Sequence, residues 1–547
     1  MKKSIIVTTS LIAFAMINAF AAPVVLDGQD MTSDKIMQIA NGEDIKITNL
    51  AMERVRNSHN VLIKAATTGH KIYGLTVGVG LNKDQKMVNA KGTLTKEVVQ
   101  ASTEFNKGLI HAHCGGVGAD LPIKEARAVM ATRLNNMLFG GTGVQEKVIN
   151  MYKQFLNNNI IPAIPSKGSM GEADITILGH IGLAMLGEGD VYYKGKKMSA
   201  KVAMADAGVK KISLFGKDAL SIISSNAYSG ALAGLALAEM KQLTKISKYV
   251  YALSLEAVNG NIAPMHEVTR KLRPFPGFVG AATKITKILE GSYLWEKDNS
   301  RALQDPLSYR DAAYILGTLD TSISKLDKLM NIQWNSSDDN PGVAIGVEST
   351  TNRFQEKKIY VDADGIKGAV VPTANFEPMP WVVEFEANAI VLAHNSIAST
   401  QRINKLDDPK FTKLSRFLGT AKTVHAFGAM QKPFTALTAE NINLASPLSL
   451  ISAPAAGNIE DIATNAPGVI TKTRTQIENL YHILGMELIH AAQAIDLRKQ
   501  KNPNLKLSIK TEKLFTDFRK VVDFLEIDRP LTNDFRNAAK FLKTYNL

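Results

Sequence analysis

Apolar residues along this chain recur mostly at three- and four-residue spacing and seldom alternate, so the pattern predicts many helices and few strands. Residues 219–251 are rich in Ala, Leu, Ser and Met with the charges kept apart, which predicts one long buried helix. Residues 383–405 and 470–499 carry the same spacing and predict two more. Helices of that length bury their faces by stacking side by side in a bundle. Breakers gather at 73–82, 162–172 and 335–378, and the third region predicts a hairpin over 348–361. The expected fold is therefore mainly α: a mixed N-terminal domain over 22–210, then a central helical bundle and a helical cap over 211–547.

One apolar run differs in kind. Residues 5–20 follow Lys2 and Lys3 and end at Ala19-Phe20-Ala21, a small-x-small sequence, before a polar stretch from Asp27. This predicts a secretory signal over 1–21, cleaved after Ala21, and a periplasmic or secreted mature protein. The apolar run at 231–238 is interrupted by Glu239, Lys241 and Lys245, so no membrane span is expected after the signal and the mature chain is expected to be soluble.

Composition narrows the chemistry. The single cysteine, Cys114, excludes an intrachain disulfide. The formal charge is +13, but the basic residues do not interleave with aromatics, so a solvated basic surface is expected and no nucleic-acid partner. His111 and His113 lack a nearby third ligand, and no metal is expected.

The first chemical motif is Tyr73-Gly74-Leu75-Thr76-Val77-Gly78-Val79-Gly80. Its glycines allow a tight loop that holds the tyrosine rigid. A phosphate loop would need a following Lys-Ser or Lys-Thr, which is absent. Around it stand Leu26-Asp27-Gly28, His113-Cys114-Gly115-Gly116, Gly168-Ser169-Met170-Gly171, Gln304-Asp305-Pro306-Leu307-Ser308-Tyr309-Arg310, Ser337-Asp338-Asp339-Asn340-Pro341, Asn375-Phe376 and Asn458-Ile459-Glu460-Asp461. In this order they resemble the histidine, phenylalanine and tyrosine ammonia-lyases, from about residue 26 to beyond 460.

The resemblance implies a long-helix bundle of the ammonia-lyase/fumarase-like type and a homotetramer in which each active site draws on three chains. It implies Tyr73 as the base that takes the proton β to the carboxylate, and Arg310 as the carboxylate clamp, whose guanidinium fork suits bidentate pairing. Glu460 and His113 match the residues that face an imidazole ring. Gln304, Asn340, Phe376 and Asn226 fall on the substrate side, though Asn226 sits about two residues off the family's spacing from Lys217. Leu307 and Tyr309 depart from the family, which has tyrosine and leucine there, so Tyr309 is a candidate for the displaced hydroxyl.

The largest departure is chemical. The family cyclises an Ala-Ser-Gly triad into an electrophilic methylideneimidazolone, but here Gly171 is followed by Glu172-Ala173-Asp174, with no hydroxyl to eliminate. The ring is therefore not expected. Ammonia leaves poorly without that electrophile, whereas a quaternary amine leaves without covalent help. The ergothionase-like branch of the family is similar in lacking the triad. Glu172, with Asp174 or Glu377, would then face a permanent cation. The leading expectation is elimination of an amine from an imidazole-bearing amino-acid betaine. An ordinary ammonia-lyase or aminomutase, and an inactive imidazole-binding relative, are the alternatives.

Overall fold

The computed structural model describes residues 22–79, 92, 94–450 and 453–547. The expected signal over 1–21 and Gly80 of the glycine octet lie outside them. The chain opens with β1 (Val24–Leu26), parallel to β2 (Ile45–Ile47). Helix α1 (Asn49–Thr67) starts where the Thr48 hydroxyl accepts from the Ala51 amide. Thr95 does the same for α2 (Lys96–His113) through Val98. Helix α3 (Ile123–Leu138) is buried along nearly its whole length. Strand β3 (Val117–Asp120) then pairs with β4 (Pro165–Lys167), and α4 (Ile175–Met185) follows.

The predicted 219–251 helix is interrupted. It divides into α5 (Asp218–Ile223) and α6 (Ala227–Val258), separated by Ser224, Ser225 and Asn226. The cause is a buried carboxylate: Asp338 Oδ2 accepts from the Ser225 hydroxyl and the Asn226 amide, each at 2.8 Å. The Ser225 carbonyl meanwhile accepts from the Asp174 amide at 2.7 Å. Two polar residues, Ser225 and Asn226, thus leave the helical ladder to serve another segment. The two other long predictions extend a few residues at each end. With α7 (Ala312–Trp334) between α6 and them, they become α8 (Met379–Leu406) and α9 (Ala466–Lys501). Helix α9 packs along both α6 and α8, α7 bridges α6 and α8, and α3 lies on α6.

The expected hairpin falls a dozen residues later than predicted. A three-stranded antiparallel sheet has the order β5 (Gly342–Ile345), β7 (Ile366–Val371), β6 (Tyr360–Ala363). The hairpin turns at Asp364-Gly365, both with positive φ, the signature of a two-residue turn. One contiguous apolar core runs from Val24 to Leu542, so the expected boundary near residue 210 is not a gap in the packing. A smaller cluster joins Val61, Leu62, Ile72 and Leu75 to Val343, Val361 and Val370, which seats the Tyr73 loop between α1 and the sheet. The apolar stretch ending at Val258, long enough by composition to cross a membrane, is buried within the bundle.

Candidate active site

The Tyr73 turn is wound tightly. The amides of Leu75, Thr76 and Val77 all converge on the Ile72 carbonyl at 2.9–3.1 Å. Thr76 Oγ1 donates to the His70 carbonyl and accepts from the Ile72 amide. Gly74 has φ +71, and a Cβ there would lie 2.5 Å from Leu220 Cδ2 on α5. Gly74→Ala is therefore expected to lower stability by about 1–2 kcal/mol through the left-handed backbone alone. Calorimetry would show a lowered Tm; an unchanged Tm would mean that the turn rearranges at no cost.

Tyr73 opens onto a cavity of about 1130 Å³. His113, Glu172, Asn340, Phe376 and Glu460 line it too, so the structure brings six of the sequence-derived candidates to one place. His113 ends α2 and its Nδ1 donates to the Leu109 carbonyl at 2.7 Å, which leaves Nε2 of the neutral ring as an acceptor. Glu460 arrives on a short return in which Ala455 and Glu460 pair through their backbones. Asn340 accepts from the Thr373 amide at 3.0 Å and fixes the segment that leads to Phe376.

Asn226 lies behind the cavity wall. It is fully buried at the start of α6, accepts from the Ala173 amide at 3.0 Å, and donates to the Phe376 carbonyl. It joins two lining segments, one of which is the Gly171–Asp174 turn. In that turn Gly171 has φ +93, and a Cβ would lie 2.6 Å from the Ala466 amide nitrogen at the start of α9. Ala173 also has positive φ, a conformation an alanine holds only when its surroundings impose it. Asp174, fully buried, imposes it from below by accepting from Ser169, the Ser229 amide and the Ser229 hydroxyl. Burial pushes its carboxyl up to about 6 despite those donors.

Glu172 therefore faces the cavity from a rigid turn. Its Oε1 is buried without a hydrogen-bond partner. Burial, then the neighbouring Glu377 carboxylate, pushes the acid up to about 8.

Three candidates are elsewhere. Tyr309 does not offer a hydroxyl to a ligand: it is 1% exposed, and its Oη meets Ser254 at 3.0 Å. The aromatic ring fills the bundle, so the sequence-based candidacy is corrected. Arg310 and Gln304 do not line this cavity, and Arg310 Nη1 donates to Gln304 Oε1 at 2.6 Å on the outer surface. His111 pairs with Glu188 at 2.7 Å, and among the described residues no three metal-ligating side chains gather.

Sequence reasoning missed Lys71, His70 and Lys358 on the cavity wall. It also missed a buried cluster in which Arg133 and Lys217 meet Asp338 and Asp339. Lys71 adjoins the tyrosine motif and could have been flagged. Nothing local marks Lys358.

The family model for aromatic amino acid lyases matches residues 31–520, and the chain belongs to that family. Histidine ammonia-lyase of Treponema denticola is 31% identical over 527 residues, covering 95% of this chain and 96% of that protein. Histidine ammonia-lyase of Caldanaerobacter subterraneus subsp. tengcongensis is 28% identical over 525 residues, with 95% and 96% covered. Among solved structures, ergothionase from Treponema denticola, in complex with desmethyl-ergothioneine sulfonic acid, superposes with a TM-score of 0.83. It is 36% identical and covers 96% of this chain and 99% of its own. Histidine ammonia-lyase from Trypanosoma cruzi, 24% identical, shares the fold with a TM-score of 0.82 over 96% of this chain and 94% of its own. The protein is a carbon–nitrogen lyase of the histidine ammonia-lyase type.

Proposed function

We propose that this lyase eliminates trimethylamine from an imidazole-bearing amino-acid betaine such as ergothioneine. The observation that carries the reading is Glu172, a carboxylate on the cavity wall where the family builds its electrophile, with Glu377 beside it. The residues there do not fit a methylideneimidazolone. Glu172 and Ala173 have no hydroxyl to lose, and the Ala173 amide is engaged by Asn226. A permanent cation beside Glu172 and Glu377 favours the ionised carboxylate over the raised acid, and such a cation also leaves as a neutral amine. Similarity to an ergothionase supports the same substrate class.

In this reading Tyr73, as phenolate, takes the Cβ proton. The C–H pair becomes the new double bond, and the C–N pair departs with trimethylamine. His113 Nε2 accepts from one ring N–H, and Glu460 holds the other side of the ring. Glu172 stabilises the quaternary head in the cavity. The product is an acrylate conjugated to the ring.

Arg310 clamps the carboxylate from a neighbouring copy in a homotetramer. Its place outside this chain's cavity supports that arrangement. So does an exposed apolar line on α8, where Val383, Ile390 and Ile397 recur every seven residues. Export to the periplasm or beyond, directed by residues 1–21, completes the proposal.

The experiment is a substrate panel of ergothioneine, hercynine, histidine, phenylalanine and tyrosine, read for trimethylamine and for ammonia. Trimethylamine from a betaine, with no ammonia from the amino acids, is expected. Ammonia from histidine would overturn the proposal, and binding without any product would mark an inactive relative.

A further inference from the structure

The Tyr73 side of the cavity carries two cations that the proposed reaction leaves unused. Lys71 directly precedes Ile72 and Tyr73, Lys358 directly precedes Ile359, and all of them line the cavity. The two segments are tied together by His70, whose Nε2 donates to the Tyr360 carbonyl at 3.0 Å. That bond sits one residue from Lys71 and two from Lys358. Both lysines are exposed, and neither meets a carboxylate or another hydrogen-bond partner among the described residues. Lys64, on the preceding helix, is by contrast matched by Asp364 at 2.6 Å.

Two unmatched ammonium groups on neighbouring segments repel each other and attract an anion placed between them. Because they remain hydrated, they pay little desolvation while waiting for one. The acidic lining residues, Glu172 and Glu460, stand on segments other than those of the two lysines, the Gly171–Asp174 turn and the Ala455–Glu460 return. In an amino-acid betaine the carboxylate and the quaternary ammonium share the α-carbon, so charges of both signs on the wall select one rotation about that carbon. The opposite rotation sets carboxylate against Glu172 and ammonium against two lysines.

We propose that Lys71 and Lys358 form an anion-docking pair at the cavity mouth, which captures the carboxylate of the incoming betaine and directs its cationic head to Glu172. The assignment rests on the betaine reading above. The pair acts at capture, before the Arg310 clamp of a neighbouring copy, so it governs KM more than kcat.

The test uses the intact protein and two probes: trans-3-(imidazol-4-yl)acrylate, followed by its ultraviolet absorbance, and imidazole itself. In K71A/K358A the acrylate is expected to bind about tenfold more weakly, as lost charge-assisted contacts imply, while imidazole affinity holds. With ergothioneine, the loss should fall on KM, the salt dependence of kcat/KM should flatten, and K71R/K358R should restore both. Equal acrylate affinity in parent and double variant overturns the pair, as does an equal loss for imidazole, or no acrylate binding by the parent. If the acrylate depends on the lysines but neither ergothioneine nor hercynine yields trimethylamine, the docking pair stands and the betaine reading fails.

Discussion

Tyr73→Phe is expected to cut turnover by about 10²–10⁴-fold, the range over which a positioned general base acts, while the folded protein survives. The turn that holds this residue is built from backbone hydrogen bonds onto the Ile72 carbonyl and from Gly74, none of which uses the phenol oxygen. The ring packs against the core as a partly buried hydrophobe, and phenylalanine keeps that contact. Removing the oxygen therefore removes the proton acceptor and leaves the turn's backbone hydrogen bonds in place. Steady-state kinetics beside calorimetry separates the cases. A variant with near-parental kcat and unchanged Tm would remove Tyr73 from the base role and move attention to the other ionisable cavity residues.

Glu172→Gln should produce opposite effects on function and stability. For a betaine substrate, loss of the carboxylate opposite a cation in a partly desolvated cavity should cost on the order of 2 kcal/mol, or about thirtyfold in kcat/KM. Stability should move the other way. The folded-state acid is raised from 4.5 to about 8, by burial first and then by Glu377. The folded chain therefore holds a proton that the unfolded chain has released between those values. The contribution of Glu172 is complete below about pH 4.5, declines as pH rises, and is lost by about pH 8. Glutamine has no such proton, so the variant should keep more of its Tm on going from pH 5 to pH 8.5 than the parent does. Parallel pH–Tm curves would mean that Glu172 carries no raised acidity, and unchanged kcat/KM would remove it from the cation site.

The sequence disclosed the bundle because periodicity over twenty or more residues is a strong, local signal; α8 and α9 extend the predicted segments by only a few residues. It concealed the break before α6, since nothing in Ser224-Ser225-Asn226 shows that a carboxylate more than a hundred residues away will claim two of them. The hairpin lies later in the chain for a simpler reason: Asp364-Gly365 is the stronger turn signal of that region. In the site, motif residues that line one cavity, such as Tyr73, His113 and Glu460, could be named beforehand because each sits in a short recognisable string. Tyr309 misled because its string, Leu307-Ser308-Tyr309-Arg310, forms one helical turn whose aromatic side chain enters the core beside Ser254. Lys358 was invisible, because its place on the wall depends on the sheet that pairs after it.

The hydrogen bonds that fix the cavity wall through Asn226 reach across 53 residues to Ala173, 112 to Asp338 and 150 to Phe376. Contacts so distant in the chain bear the full entropic cost of loop closure before they return anything. The wall is thus a property of the assembled bundle and of no single stretch of chain, and a chain halted before Phe376 has emerged lacks one of its three attachments.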